Sequence, residues 1–226
     1  DPKTGEVLAL ANEPTFNPNV FARSPASHRR NRAVQDIYEP GSAFKVVTAS
    51  AAIEESVVKP DDLIDVSAGM IRFGARRIED DHRYGTLSFA DVIVKSSNVG
   101  VIKIGLRLGP ERLARYVHRF GFGQALSRDF PGQSRGLVHD LPGLDDSALA
   151  SVAMGYQIGV TPLQMAAAVS AIANGGELLE PRLVRAVLRQ DVRIEIPRRV
   201  IRRVIGADTA DELTTIMEAV VERGTA

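Results

Sequence analysis

Tyr38-Glu39-Pro40-Gly41-Ser42-Ala43-Phe44-Lys45 opens the most informative stretch of this 226-residue chain. Pro40 and Gly41 break what precedes them, Ser42 suits a helix N-terminus, and the Ala- and Val-rich run to Ile53 predicts a buried helix over residues 42–55. Ser42 and Lys45 then share one face of the first turn, where the helix dipole favours negative charge developing on the serine oxygen. A lysine whose ammonium is destabilised by burial can take the serine proton, which activates a nucleophile without histidine. Taken alone, the spacing also fits a helix cap followed by a surface charge.

Lysines occur only at positions 3, 45, 59, 95 and 103, so each can be checked for a partner. Ser56-Val57-Val58-Lys59 repeats the spacing, but it lies at a helix end before Pro60, without the dipole or the buried setting. Ser96-Ser97-Asn98 adds the weight that the first motif lacks. It falls between a helix capped by Ser88 that runs through Lys95 and a second from Asn98 to Leu108. A hydroxyl at Ser96 can pass a proton to a leaving amine, and the Asn98 amide can donate to and accept from a substrate peptide group. A polar turn between two helices is the other reading of the same residues.

Further out, residues 6–11 read as a short strand, Pro14 to Asn19 as a loop, and residues 57–87 as short strand-like pieces such as Met70 to Phe73. Pro110 begins a helix with Leu113, Tyr116, Val117 and Phe120 on one face and Gly121 as its stop. Residues 121–147 form a long loop. Thr161-Pro162-Leu163-Gln164 is a capping box for a helix ending at Asn174-Gly175-Gly176. A strand pair is expected within 182–205, and Thr209 with Glu212 is expected to cap a last helix to about Glu222.

Lys plus Arg and Asp plus Glu each total 28, so the net charge of zero removes the footprint of a nucleic-acid binder. With 44% hydrophobic and 25% charged residues the chain reads as globular. The lack of cysteine excludes disulfides, thiolate nucleophiles and Cys-ligated zinc. No apolar run reaches the roughly 20 residues that span a bilayer. The histidines at 28, 82, 118 and 139 have no ligand spacing, and Glu79-Asp80-Asp81-His82 reads as a solvated loop. Arg198, Arg199, Arg202 and Arg203 read as an exposed face.

With these residues in view, the chain resembles the transpeptidase domain of class B penicillin-binding proteins, a superfamily marked by S-x-x-K, S-x-N-type and K-T-G elements. The likeness runs the length of the chain. It includes Thr4-Gly5-Glu6-Val7-Leu8-Ala9, the Pro14 to Asn19 segment, Asn31-Arg32-Ala33-Val34, Phe120-Gly121-Phe122-Gly123 and Thr161 through Gly176, in order. The residues from Asn31 to Ser42 look most like septal, division-type members.

The resemblance implies an α+β, β-lactamase/transpeptidase-like fold: an antiparallel sheet flanked by helices plus a helical subdomain, over a single partial domain at residues 1–226. It implies Ser42 as the acyl-accepting nucleophile, Lys45 as its general base, Ser96 as proton relay and Asn98 as a substrate-amide ligand. The implied substrates are peptidoglycan stem peptides, with β-lactams as mimics and no metal or organic cofactor. A membrane glycosyltransferase and divisome proteins are the implied partners, at the outer face of the cytoplasmic membrane. A class D-like β-lactamase or sensor is the first alternative, opposed by Asn98. A non-catalytic scaffold is the second, opposed by the presence of all four site residues.

The family's Lys-Thr-Gly belongs on an edge strand after the final helix, beyond Gly224-Thr225-Ala226. Lys3-Thr4-Gly5 stands at the wrong end and belongs to the opening block. The expectation is therefore of a chain cut short of its third catalytic element, helix-dominated, poorly folded and nearly inactive by itself. Loss of one oxyanion-hole donor alone costs roughly 10²–10³ in rate.

Overall fold

The computed structural model describes residues 1–224, and Thr225 and Ala226 lie outside the described residues. The strand expected at 6–11 does not form. Glu6 makes one isolated parallel bridge with Arg182, and the Val7 N–H donates to the Arg182 carbonyl at 2.9 Å. An extended segment becomes a strand only where a neighbour takes its remaining N–H and C=O groups, and no described strand pairs with residues 8–11.

A short helix, α1 (Arg32–Gln35), precedes a 3₁₀ turn over Gly41–Phe44 that runs directly into α2 (Lys45–Glu54). The helix expected over 42–55 is thus present, with its first turn wound more tightly. Val47, Thr48, Ala49, Ser50, Ala51 and Ala52 are all buried, so α2 is enclosed on every side, as its lack of a polar face requires. Four short strands follow: β1 (Leu63–Asp65), β2 (Met70–Phe73), β3 (Arg76–Glu79) and β4 (Thr86–Ser88). β2 and β3 form an antiparallel hairpin, while β1 pairs antiparallel with β4.

Ser88 caps α3 (Phe89–Val94) by accepting from the Asp91 N–H at 3.0 Å, and α4 (Asn98–Leu108) and α5 (Pro110–Arg119) begin where the sequence places them. After the long loop come α6 (Asp146–Ala153), capped by Asp145, and α7 (Pro162–Ala173). The capping box is closed on both sides. Thr161 Oγ1 accepts from the Gln164 N–H at 3.2 Å, and Gln164 Oε1 accepts from the Thr161 N–H at 2.9 Å.

The remaining elements are β5 (Glu177–Leu179), β6 (Ala186–Arg189), β7 (Val192–Glu195), β8 (Val200–Arg203) and α8 (Ala207–Arg223). The strand pair expected in 182–205 is the antiparallel β6–β7 hairpin, whereas β8 leaves it to pair with β5. The arginine cluster is exposed at Arg198, Arg199 and Arg203, where Arg199 pairs with Glu180 at 2.8 Å and Arg203 with Glu177 at 3.1 Å, but Arg202 is half-buried and donates to the His118 carbonyl and Gln124 Oε1, each at 2.8 Å.

The cap expected from Thr209 is corrected. α8 starts earlier, with Gly206 at the N-cap, and the Glu54 carboxylate on α2 accepts from the Gly206 N–H at 2.9 Å and from the Thr209 hydroxyl. A negative charge at a helix N-terminus is favourable wherever in the chain it comes from, and local sequence does not reveal a cap supplied by another helix.

The described residues thus form an α+β, helix-dominated fold with four two-stranded antiparallel pieces. α2 packs against α4, α5 and α8, which places the Ser42 turn at the end of the core. Phe44 anchors that turn. It is fully buried, and its ring lies 5.3 Å from that of Phe122. Phe44→Ala is expected to cost about 3–5 kcal/mol in denaturant unfolding. A loss below about 1 kcal/mol would show that the turn does not depend on this packing.

Candidate active site

The turn that presents Ser42 is held by two glycines. Gly41 has φ +55° and donates its N–H to the Gly155 carbonyl at 2.9 Å. Gly155 has φ +89°, and a Cβ there would lie 2.1 Å from the Gly41 oxygen, so the chain end of α6 approaches this closely only as glycine. Ser42 is exposed, and its carbonyl accepts the Lys45 N–H, which closes the turn and leaves the hydroxyl facing solvent.

Lys45 is the opposite, only 2% exposed at the start of the core helix. Its Nζ donates to the Ser96 carbonyl at 2.6 Å, the Ser96 hydroxyl at 3.0 Å and Asn98 Oδ1 at 2.8 Å. Three acceptors use all three donors of an ammonium. Burial lowers its pKa from 10.5 to about 8, while the negative charges of Asp80 and then Asp81 hold it up.

The α3–α4 junction supplies those acceptors. Ser96 has φ +54°, which turns its carbonyl and hydroxyl towards Lys45. Ser97 caps α4 by accepting from the Gly100 N–H at 2.9 Å, and Asn98 starts the helix with its Nδ2 donating to the Glu79 carbonyl at 2.9 Å. At Gly100 a Cβ would fall 2.5 Å from a Val92 methyl, so α3 and α4 close tightly here.

The structure therefore joins Lys45 to Ser96 and Asn98, 51 and 53 positions away in sequence, in one network. Ser42 stands beside that network on the adjoining turn without a side-chain hydrogen bond to it. If Lys45 loses a proton, the amine keeps two N–H donors and gains a lone pair, so one acceptor must be released and a base is exposed. With a pKa of about 8, about a tenth of the chains carry that free amine at pH 7.

The alternative lysine motifs lie elsewhere. Lys59 is exposed and Ser56 sits at the end of α2 with φ +53°. Lys3 is exposed, and its carbonyl accepts from Arg198 in the connection between β7 and β8. The reading of Glu79 to His82 as a solvated loop needs correction at Glu79, which ends β3, and at Asp80. This carboxylate accepts from the Ser97 hydroxyl at 2.8 Å and the Val99 N–H at 3.0 Å. The one clue in sequence was an acidic residue just after a strand-like run; its partners are 17 and 19 positions away.

The family profile for the penicillin-binding protein transpeptidase domain matches residues 1–226. The chain belongs to the class B penicillin-binding protein transpeptidases. Penicillin-binding protein PbpB of Mycobacterium tuberculosis is 38% identical over 99% of this chain and 33% of its own length. A probable peptidoglycan D,D-transpeptidase, PbpC of Pseudomonas aeruginosa, is 32% identical over 98% of this chain and 38% of its own length. The chain thus spans about a third of the length of such transpeptidase relatives. Among solved structures, penicillin-binding protein 3 from Mycobacterium tuberculosis in complex with ampicillin superposes with a TM-score of 0.89 at 38% identity, covering 99% of this chain and 50% of that one. The α+β arrangement seen here is therefore that of the penicillin-binding transpeptidases.

Proposed function

We propose that this chain carries the acylating machinery of a serine D,D-transpeptidase that cross-links peptidoglycan stem peptides. One observation supports it above the others: a buried lysine amine, held by Ser96 and Asn98, stands one turn from an exposed serine. The Pseudomonas relative is named a probable peptidoglycan D,D-transpeptidase and the mycobacterial one binds ampicillin, and both support the same chemistry.

In this reading Lys45 as free amine takes the Ser42 proton, and Oγ bonds to the carbonyl carbon of the penultimate D-alanine. The C–N bond to the terminal D-alanine then breaks, and the leaving nitrogen receives its proton from the Lys45 ammonium through the Ser96 hydroxyl. An acceptor amine attacks the ester, the Oγ–C bond breaks, and the proton returns to Ser42. Asn98 has one N–H engaged by Glu79, which leaves the second for the carbonyl of the stem peptide. A β-lactam offers the same amide carbon, but its leaving nitrogen stays tethered in the adduct.

The proposed setting is the outer face of the cytoplasmic membrane, with a glycosyltransferase and divisome proteins as neighbours. No described helix is long and apolar enough to cross a membrane. The test presents the natural full-length protein with a stem pentapeptide ending in D-Ala-D-Ala together with an acceptor amine. One D-alanine should be released per cross-link formed, and a fluorescent penicillin should leave a long-lived adduct. Rapid β-lactam hydrolysis without an adduct would favour the β-lactamase alternative, and neither reaction would favour the scaffold.

No Lys-Thr-Gly follows Ser42 within the 226 residues. A polypeptide of these residues alone is expected to label at least about 10²-fold more slowly than any form that includes such an element, because one oxyanion donor is worth that much. Equal rates would contradict the assignment of that element to the site.

A further inference from the structure

We propose that Asp80 is a positioning residue of this active site, which locks the start of α4 so that Ser96 and Asn98 hold Lys45 and which balances the lysine's charge. The proposal rests on the transpeptidase reading and deepens it.

The geometry comes first. Asp80 directly follows β3, and its own N–H donates to the Gly69 carbonyl at 3.1 Å, so its backbone is anchored to the hairpin. One carboxylate oxygen takes the Ser97 hydroxyl at 2.8 Å and the other takes the Val99 N–H at 3.0 Å. The residue before it supplies the carbonyl that receives Asn98 Nδ2 at 2.9 Å. The end of β3 thus grips α4 at three consecutive residues, and the middle of the three, Asn98, carries an oxygen that binds Lys45. Ser97 alone caps one N–H of α4; the carboxylate takes another and complements the helix dipole. If the grip is lost, the helix start is free to shift, and a displacement of about 1 Å in a catalytic constellation can cost about 10²-fold.

Charge is the second effect, and it acts with the opposite sign on rate at neutral pH. The carboxylates acting on the Lys45 charge are Asp80 and Asp81, both in the β3–β4 connection. The α3–α4 junction presents the neutral Ser96 and Asn98, and the preceding turn presents Ser42. Removing the Asp80 charge favours the free amine and moves the Lys45 titration to lower pH. Asp80→Ala removes grip and charge together, whereas Asp80→Asn removes the charge but keeps an oxygen for the Val99 N–H, with an amide N–H that can donate to the Ser97 hydroxyl oxygen.

The experiment measures the second-order rate constant for acylation by a fluorescent penicillin from pH 5 to 10, on the natural full-length protein and three variants. Thermal melts establish that each variant is folded. In the wild type the acid limb should fall near pH 8. Asp80→Ala should lower the plateau by about 10–10²-fold. Asp80→Asn should recover most of the plateau with the acid limb displaced to lower pH, and Asp81→Asn should keep the plateau.

A purely structural role predicts losses that follow the folded fraction with an unmoved limb, and that result would overturn the proposal. If wild type shows no acylation, the transpeptidase reading fails on its own. The Asp80 effect is then read from ¹³Cε-lysine NMR, where the buried Lys45 signal should titrate at lower pH in Asp80→Asn than in wild type. An unchanged midpoint there would overturn it.

Discussion

Ser42→Ala is expected to abolish covalent labelling by penicillin and to lower D-alanine release by a factor on the order of 10⁶, the scale seen when a serine enzyme loses its nucleophile. The loss is chemical and not structural. The Ser42 side chain is exposed, its turn is fixed through the backbone by Gly41, Gly155 and the Lys45 N–H, and Phe44 beside it supplies the packing. Stability should therefore stay within about 0.5 kcal/mol of wild type. A stoichiometric label persisting in the variant would place the nucleophile elsewhere.

Lys45→Arg should lower the acylation rate by about 10²–10⁴-fold, the usual contribution of general-base catalysis. Arginine keeps the positive charge and the donors, but its guanidinium does not deprotonate at working pH, so a role as counter-charge would survive the change and a role as base would not. The lysine also leaves a trace in stability. Its pKa is about 8 in the folded chain and about 10.4 unfolded, so between those values the unfolded state binds more protons. Stability from this group therefore rises with pH across that window, by about 3 kcal/mol in all, because deprotonation relieves the burial of a charge. Lys45→Met removes the titration. The difference in unfolding free energy between wild type and Lys45→Met should shift in favour of wild type from pH 8 to 10, and a constant difference would contradict the buried-lysine account.

The helices were largely legible in sequence because their signals are local. Pro110, the Thr161–Gln164 box and the Ser88 cap each act within one turn of the residue that reveals them. Features that depend on distant partners were not legible. Residues 6–11 have the composition of a strand but find no described partner beyond the Glu6–Arg182 bridge, and the true cap of α8 is Glu54 on another helix.

The site divides in the same way. Residue types and spacing marked Ser42, Lys45, Ser96 and Asn98, yet only the fold shows that the lysine bonds to Ser96 and Asn98 while the serine stands outside that network. Asp80 escaped notice because an acidic loop residue looks the same in sequence whether it faces water or caps a helix. The reach from Asp80 to Val99 is set by packing of the β2–β3 hairpin on α4.

The most direct measurement is the site of acylation. Cleavage after Arg32 and Lys45 isolates a peptide, Ala33 to Lys45, in which Ser42 is the single serine. After brief exposure of the natural full-length protein to penicillin, mass spectrometry should find one intact penicillin added to that peptide and fragment ions that place it on Ser42. An adduct on the Ser96 to Lys103 peptide, on Ser56, or nowhere while the penicillin is consumed would contradict the account.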